Sequence, residues 1–261
     1  MRVRPPAVAG TFYPADPATL RAVVARALAD APPDAAPPPK ALVAPHAGYV
    51  FSGPIAGSAW ARVAAARDVV RRVVLLAPAH RVPVRGLATS SADAFATPLG
   101  PVRVDDELRR RVLALPHVVV DDRAHAPEHA IEVHLPFLQL VLDDPTLLPL
   151  LVGDADPDEV SAVLDAVWGG PETLVVVSTD LSHYLEYHAA AARDRRTAAS
   201  IVAADQAAIG DHDACGARPL RGLLATARRR GLGVRLLDLR SSGDTAGDPD
   251  AVVGYGAFAV G

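Results

Sequence analysis

Histidines and an acidic residue follow several apolar runs, at places where imidazole and carboxylate chemistry can be gathered. Ala41 to Ala44 leads into Pro45-His46-Ala47-Gly48-Tyr49, Val73 to Ala77 into Pro78-Ala79-His80, and Leu174 to Val177 into Ser178-Thr179-Asp180-Leu181-Ser182-His183. Open α/β sheets bind ligands beyond the carboxyl ends of their strands. If these runs are parallel and neighbouring strands, His46, His80, Asp180 and His183 converge on one rim. Imidazoles and a carboxylate there suit a metal site or an acid–base site. The prolines before His46 and His80 stiffen the backbone, and Gly48 and Gly53 permit a tight turn around His46. Simpler roles compete. Each histidine alone reads as a loop or core residue, and Asp180 or Ser182 as a cap for the helix that follows. Tyr184, Tyr187 and His188 then start that helix and pack locally.

A second cluster is His125-Ala126-Pro127-Glu128-His129-Ala130-Ile131-Glu132-Val133-His134. His125 to His129 has the H-x-x-E-H form of a zinc peptidase motif, which needs both histidines on one helical face. Pro127 disfavours the α conformation at Ala126, so no helix is expected through this stretch. Glu128, Glu132 and His134 remain candidates for the same rim, with a polar helix start as their structural alternative. Cys215, the only cysteine, lies in a loop before a helix. It is either a small buried hydrophobe or, near a helix N-terminus or a metal, a ligand or nucleophile. The only lysine, Lys40, ends a proline-rich stretch and is not expected to form a Schiff base. No P-loop, complete G-x-G-x-x-G or G-x-S-x-G elbow occurs, which removes most support for nucleotide-dependent and α/β-hydrolase chemistry.

The elements that must position these residues follow from the apolar pattern. Ala41 to Ala44, Val73 to Ala77, Leu147 to Val152 and Leu174 to Val177 are continuous apolar runs, suited to strands buried on both faces. Helices are expected at Pro17 to Ala29, Pro54 to Ala66, Asp106 to Leu115, Glu132 to Leu142, Pro157 to Val167, Glu186 to Ala208 and Pro219 to Arg230. Asp16-Pro17 and Asp156-Pro157 read as an N-cap followed by proline at the first helical position. Val234 to Leu239 and Ala251 to Val260 look like late strands, and Pro98 to Val104 a short β excursion. The alternation predicts one α/β domain over residues 1–261, with helices flanking a largely parallel or mixed sheet.

Composition bounds the rest. Half of the 261 residues are hydrophobic, 21% are charged, and the net charge is −4. Such a chain builds a core, and it lacks the basic balance expected for nucleic acid or an anionic membrane surface. A lone cysteine excludes an internal disulfide and a CxxC zinc ribbon. Apolar runs are far too short for a membrane span, and Met1 to Gly10 has no apolar signal-peptide core. A soluble cytoplasmic protein is the expectation.

Six segments together resemble the Memo family, whose prokaryotic members are called AmmeMemoRadiSam system protein B. They are Ala7 to Pro14, Ala44 to Tyr49, Pro78 to His80, Glu128 to Pro136, Ser178 to His183 and Cys215 to Pro219, in order along the chain. The resemblance implies an α/β fold similar to class III extradiol dioxygenases, which hold Fe(II) with two histidines and a carboxylate. It also implies a pocket that binds iron or copper through His46, His80 and Cys215, lined by Asp180 and His183. A thiolate in place of the carboxylate favours a softer, redox-active metal and weakens the case for catechol cleavage. The family name further implies association with an AMMECR-type protein and a radical SAM protein.

On this basis the first expectation is a metal-binding redox protein. Asp180 would orient a ligand or water, and His183 would transfer a proton; both are the candidate catalytic residues. Tyr49, Glu128, His129, Glu132 and His134 are expected to line the pocket. The rivals are an extradiol-type dioxygenase of an aromatic substrate, and a peptide- or protein-binding module with a vestigial pocket. An anion-binding version of the module would draw on Arg81, Arg85 or Arg218.

Overall fold

The computed structural model describes residues 1–261. Its centre is four parallel strands, and they are the four apolar runs: β2 (Ala41–Ala44), β3 (Arg72–Pro78), β8 (Thr146–Val152) and β9 (Thr173–Ser178), following a short β1 (Val3–Arg4). The order is β2-β9-β3-β8, all parallel. Beyond β8 lie β4 (Leu87–Thr89), antiparallel to it, and β7 (Val118–Val120). Beyond β2 lies β12 (Val252–Val260), antiparallel, flanked by β10 (His183–Leu185) and β11 (Val234–Ser241). The sheet is therefore mixed, with a parallel middle. The β excursion is a hairpin, β5 (Ala94–Thr97) and β6 (Gly100–Arg103), which joins β1 in a separate three-stranded sheet.

Successive residues of the central strands feed two cores, as the period of a strand requires. Leu42, Ala44, Leu174 and Val176 face α1 (Pro17–Ala29), α2 (Tyr49–Trp60) and α5 (Leu135–Val141). Ala41, Val43, Val175 and Val177 face α6 (Pro157–Val167), α7 (Tyr187–Val202) and α8 (Ala217–Arg229), with α3 (Asp106–Leu113) alongside. The result is a three-layer α/β/α arrangement. Asp16 caps α1 by accepting the Thr19 amide at 2.7 Å, with Pro17 at the first helical position.

Several boundaries differ from the sequence expectation. Helix α2 begins at Tyr49, not Pro54, and the proline sits inside it. Residues 61–66 and 132–134 are 3-10 turns rather than parts of the neighbouring α-helices. Helix α7 stops at Val202 because Ala204 turns left-handed, with φ of 50°. The short α4 (Asp122–His125) does end before Pro127, although Ala126 itself keeps α geometry (φ −57°, ψ −49°). Asp180 and Ser182 cap no helix. Strand β10 intervenes, and Glu186 caps α7 instead, accepting the His188 amide at 3.0 Å. Tyr184 is correspondingly in β10, exposed and with φ of 59°. No helix is long and apolar enough to cross a membrane.

Candidate functional site

The carboxyl ends of β2, β3 and β9 open into a cavity of about 710 Å3. His46, His80, His129, Asp180, His183 and Cys215 all line it. Parallel register explains the first contact. Ala44 of β2 is paired with Ser178 of β9, so the turn at His46 runs beside the turn at Asp180. The His46 amide donates to Asp180 Oδ1 at 2.8 Å, and the Thr179 amide donates to the Ala44 carbonyl at 2.9 Å.

Cys215 reaches the rim from the other layer, just before α8. Its amide donates to the Asp180 carbonyl at 3.2 Å, and its Sγ accepts the Asp180 amide at 3.3 Å. The approach requires glycine at 216, where a Cβ would sit 2.6 Å from the Ser178 carbonyl oxygen. Sγ lies 3.3 Å from His46 Nε2. The ligand atoms of His46, His80 and Cys215 all lie within 4.8 Å of one another.

The two imidazoles are held from behind by different groups. His80 Nδ1 lies 3.0 Å from Glu128 Oε1, and the His80 amide donates to Oε2 at 2.7 Å. His46 Nδ1 lies 2.6 Å from Ser178 Oγ. Ser178 Oγ donates to the Ala130 carbonyl at 2.7 Å and meets His134 Nε2 at 3.0 Å. Trp60 Nε1 donates to His134 Nδ1 at 3.3 Å. His129 completes a triangle of rings, stacked on His80 at 5.2 Å between centroids and 5.5 Å from His46. Its Nδ1 is 3.2 Å from Glu128 Oε1 but off the hydrogen-bonding direction, and so is left without a partner.

Burial sets the protonation states. It pushes His46 well below the usual histidine range, helped by the neighbouring imidazoles of His80, His129 and His134, so the ring is neutral. Burial likewise takes His134 down to about 3. Burial and the Asp180 carboxyl beside it push the Cys215 thiol up to about 12. Asp180 is itself raised by burial, against the hydrogen bond from the His46 amide.

Four expected lining residues do not reach the cavity. Glu128 is buried under it with a saturated carboxylate: Oε1 also accepts the amides of His129 at 2.9 Å and Ala130 at 3.1 Å. Burial opposes its charge, but the His129 and His80 imidazoles beside it, with the His80 amide, outweigh that and hold it well below the usual carboxylate range. His80, Glu128 and His129 also cluster closely enough for a metal, yet this carboxylate has its oxygens committed to the backbone. Glu132 is fully buried in an ion pair with Arg4, and it accepts the Ala7 amide at 2.7 Å and the Tyr13 hydroxyl at 2.6 Å. Tyr49 donates its hydroxyl to the Val133 carbonyl at 2.6 Å. His134 stands behind Ser178, as above. All four are framework because their polar atoms are already used inside the protein.

Sequence reasoning missed Arg4, Ser178 and Trp60. Arg4 Nε donates to the His125 carbonyl at 3.0 Å, so one N-terminal guanidinium pins the loop that carries Glu128 and His129. A buried arginine has no signature of its own in sequence. Of the three candidate anion-binding arginines, only Arg81 lines the cavity. Arg218 pairs with Asp154 at 2.6 Å. Lys40 is fully engaged, its ammonium donating to the carbonyls of Trp168, Gly170 and Thr173 at 2.6–2.7 Å.

Comparison with known proteins agrees with this architecture. A solved structure of an uncharacterized protein from Escherichia coli K12 superposes with a TM-score of 0.54 at 13% identity, covering 83% of this chain and 98% of that one. This likeness is one of fold. A MEMO1 family protein of Methanopyrus kandleri is 36% identical, and one of Aquifex aeolicus 34%, each match covering 98% of both chains. The family described as Memo-like protein matches residues 4–259. On sequence and extent, the chain belongs to the Memo-like family.

Proposed function

We propose that the protein binds a redox-active metal, iron or copper, through His46, His80 and Cys215. The observation that carries this reading is the convergence of two imidazoles and one thiol within 4.8 Å at the carboxyl end of a parallel sheet. Ligands at about 2.0–2.3 Å from a shared ion need that kind of approach. The donor chemistry fits as well. His46 is neutral through burial, and the ring nitrogen of His80 that meets Glu128 leaves the other free, as metal-bound histidines require. A bound metal of this donor set supplies one-electron chemistry, and the thiolate favours Cu(I) or iron over hard cations.

The chain's own residues then have distinct tasks. Asp180 holds the His46 turn through Oδ1, and its Oδ2 lies 3.9 Å from His46 Nε2, facing the same space. His183, at the edge of the cavity, is placed to move a proton between solvent and a bound molecule. Phe12, Phe51, Tyr184 and Tyr255 also line the cavity and give it apolar walls. These aromatic walls favour, as a second reading, oxygenation of a small aromatic substrate over docking of an anionic peptide, for which Arg81 is the only candidate arginine on the wall.

The test is elemental analysis of protein purified without oxygen, with His46→Ala and Cys215→Ser beside it. About one iron or copper per chain, lost in both variants, is expected for a three-ligand site. Absence of metal after anaerobic loading with Fe(II) and with Cu(I) would overturn the reading.

A further inference from the structure

Which nitrogen of His46 is free to bind is decided by hydrogen bonds well behind the cavity. Trp60 Nε1–H can only donate, so His134 Nδ1 must accept, and the His134 proton is left on Nε2. His134 Nε2–H therefore donates to Ser178 Oγ at 3.0 Å. The Ala130 carbonyl can only accept, and it takes the single Ser178 proton at 2.7 Å. One partner of Oγ remains, His46 Nδ1 at 2.6 Å, and it must bring its own proton. The proton of His46 is thereby on Nδ1. The lone pair is on Nε2, which faces Cys215 Sγ at 3.3 Å.

We infer that Ser178 is a positioning residue: with its proton committed to Ala130 and its hydroxyl held by the Trp60–His134 pair, it fixes the His46 tautomer and so presents Nε2 to the metal. The claim rests on the proposed role of His46 as a ligand. It makes the two imidazoles unequal. His80 is backed by a carboxylate, Glu128, and His46 by a neutral hydroxyl, so His80 is the stronger donor. Alternative arrangements are costly here because Ser178 and His134 are both fully buried, where an unmet polar group is not relieved by solvent.

The deciding experiment reads the tautomer directly, in metal-free protein, by long-range proton–nitrogen spectra of 15N-histidine-labelled chain. His46 is expected to carry its proton on Nδ1 in the wild type and on Nε2 in Ser178→Ala. Iron or copper affinity falls about 10–100-fold in that variant, the range for loss of a group behind a ligand, with circular dichroism unchanged. Ser178→Thr, which keeps the hydroxyl, restores both. A wild-type proton on Nε2, or a Ser178→Ala protein unchanged in tautomer or in affinity, would overturn the inference. Should the wild type take up no metal, the proposed function falls on that result, and the spectra still decide whether Ser178 sets the proton.

Discussion

Asp180 Oδ1 accepts the backbone amide of His46 at 2.8 Å, so a carboxylate at the end of β9 fixes the turn at the end of β2. Both residues are buried. Asp180→Ala leaves that amide without a partner, at a cost of about 1–3 kcal/mol, and frees the turn that aims His46. Asp180→Asn keeps an acceptor oxygen in place. Thermal melts are therefore expected to show a clear loss for alanine and a small one for asparagine. Equal losses would remove the anchoring role.

The Arg4–Glu132 pair ties the N-terminal segment to the loop beneath the cavity. Breaking one partner of a buried ion pair costs about 3–5 kcal/mol, and Glu132 also holds the Ala7 and Val8 amides. Thr11 and Phe12, in the same segment, line the cavity. Glu132→Gln is expected to lower stability and to speed amide exchange across residues 7–13 more than elsewhere. Exchange that stays slow there would show that other contacts hold the segment.

Stability should fall in mild acid. Burial depresses His46 well below its usual range, His125 to about 4 and His134 to about 3. Between about pH 6.5 and 4 the unfolded chain takes up protons at these rings while the folded chain does not, so unfolding becomes easier as pH drops. Asp180 and Asp194, whose folded carboxyls burial raises, act in the opposite sense near the bottom of that window. Urea unfolding across this range is expected to show net proton uptake, reduced by about one proton in His125→Asn. A flat profile would mean that the rings ionise in place.

Metal uptake should release a proton. Burial and Asp180 keep the Cys215 thiol protonated, up to about 12, whereas a metal takes the thiolate. Affinity is therefore expected to rise about tenfold per pH unit through neutrality. Competition with a chelator at several pH values measures the slope. A pH-independent affinity would mean that the thiol does not ligate.

The site was legible where chemistry follows a strand. Strands buried on both faces read as unbroken apolar runs, so His46, His80 and Asp180 fall at a common edge once those runs are taken as parallel neighbours, which the β2-β9-β3 order makes them. The roles of Glu132 and His134 were not legible, because side chains in a polar-looking stretch can turn toward a cavity or into the framework. Ser178 was hidden for a related reason: its partner His46 is set by the Ala44–Ser178 register, between strands far apart in the chain. The expected start of α2 at Pro54 moves to Tyr49 because the proline is accommodated inside the helix.

The contact between His46 and Cys215 joins residues 169 positions apart. At typical synthesis rates of about 5–20 residues per second, the imidazole emerges from the ribosome roughly 10–30 seconds ahead of the thiol. Ser178, which lies 132 positions after His46, arrives late as well. A nascent chain therefore displays His46 with neither its sulfur neighbour nor the hydroxyl behind it. The centre comes into being only after the last parallel strand has docked, and no N-terminal fragment ending before residue 215 can reproduce it.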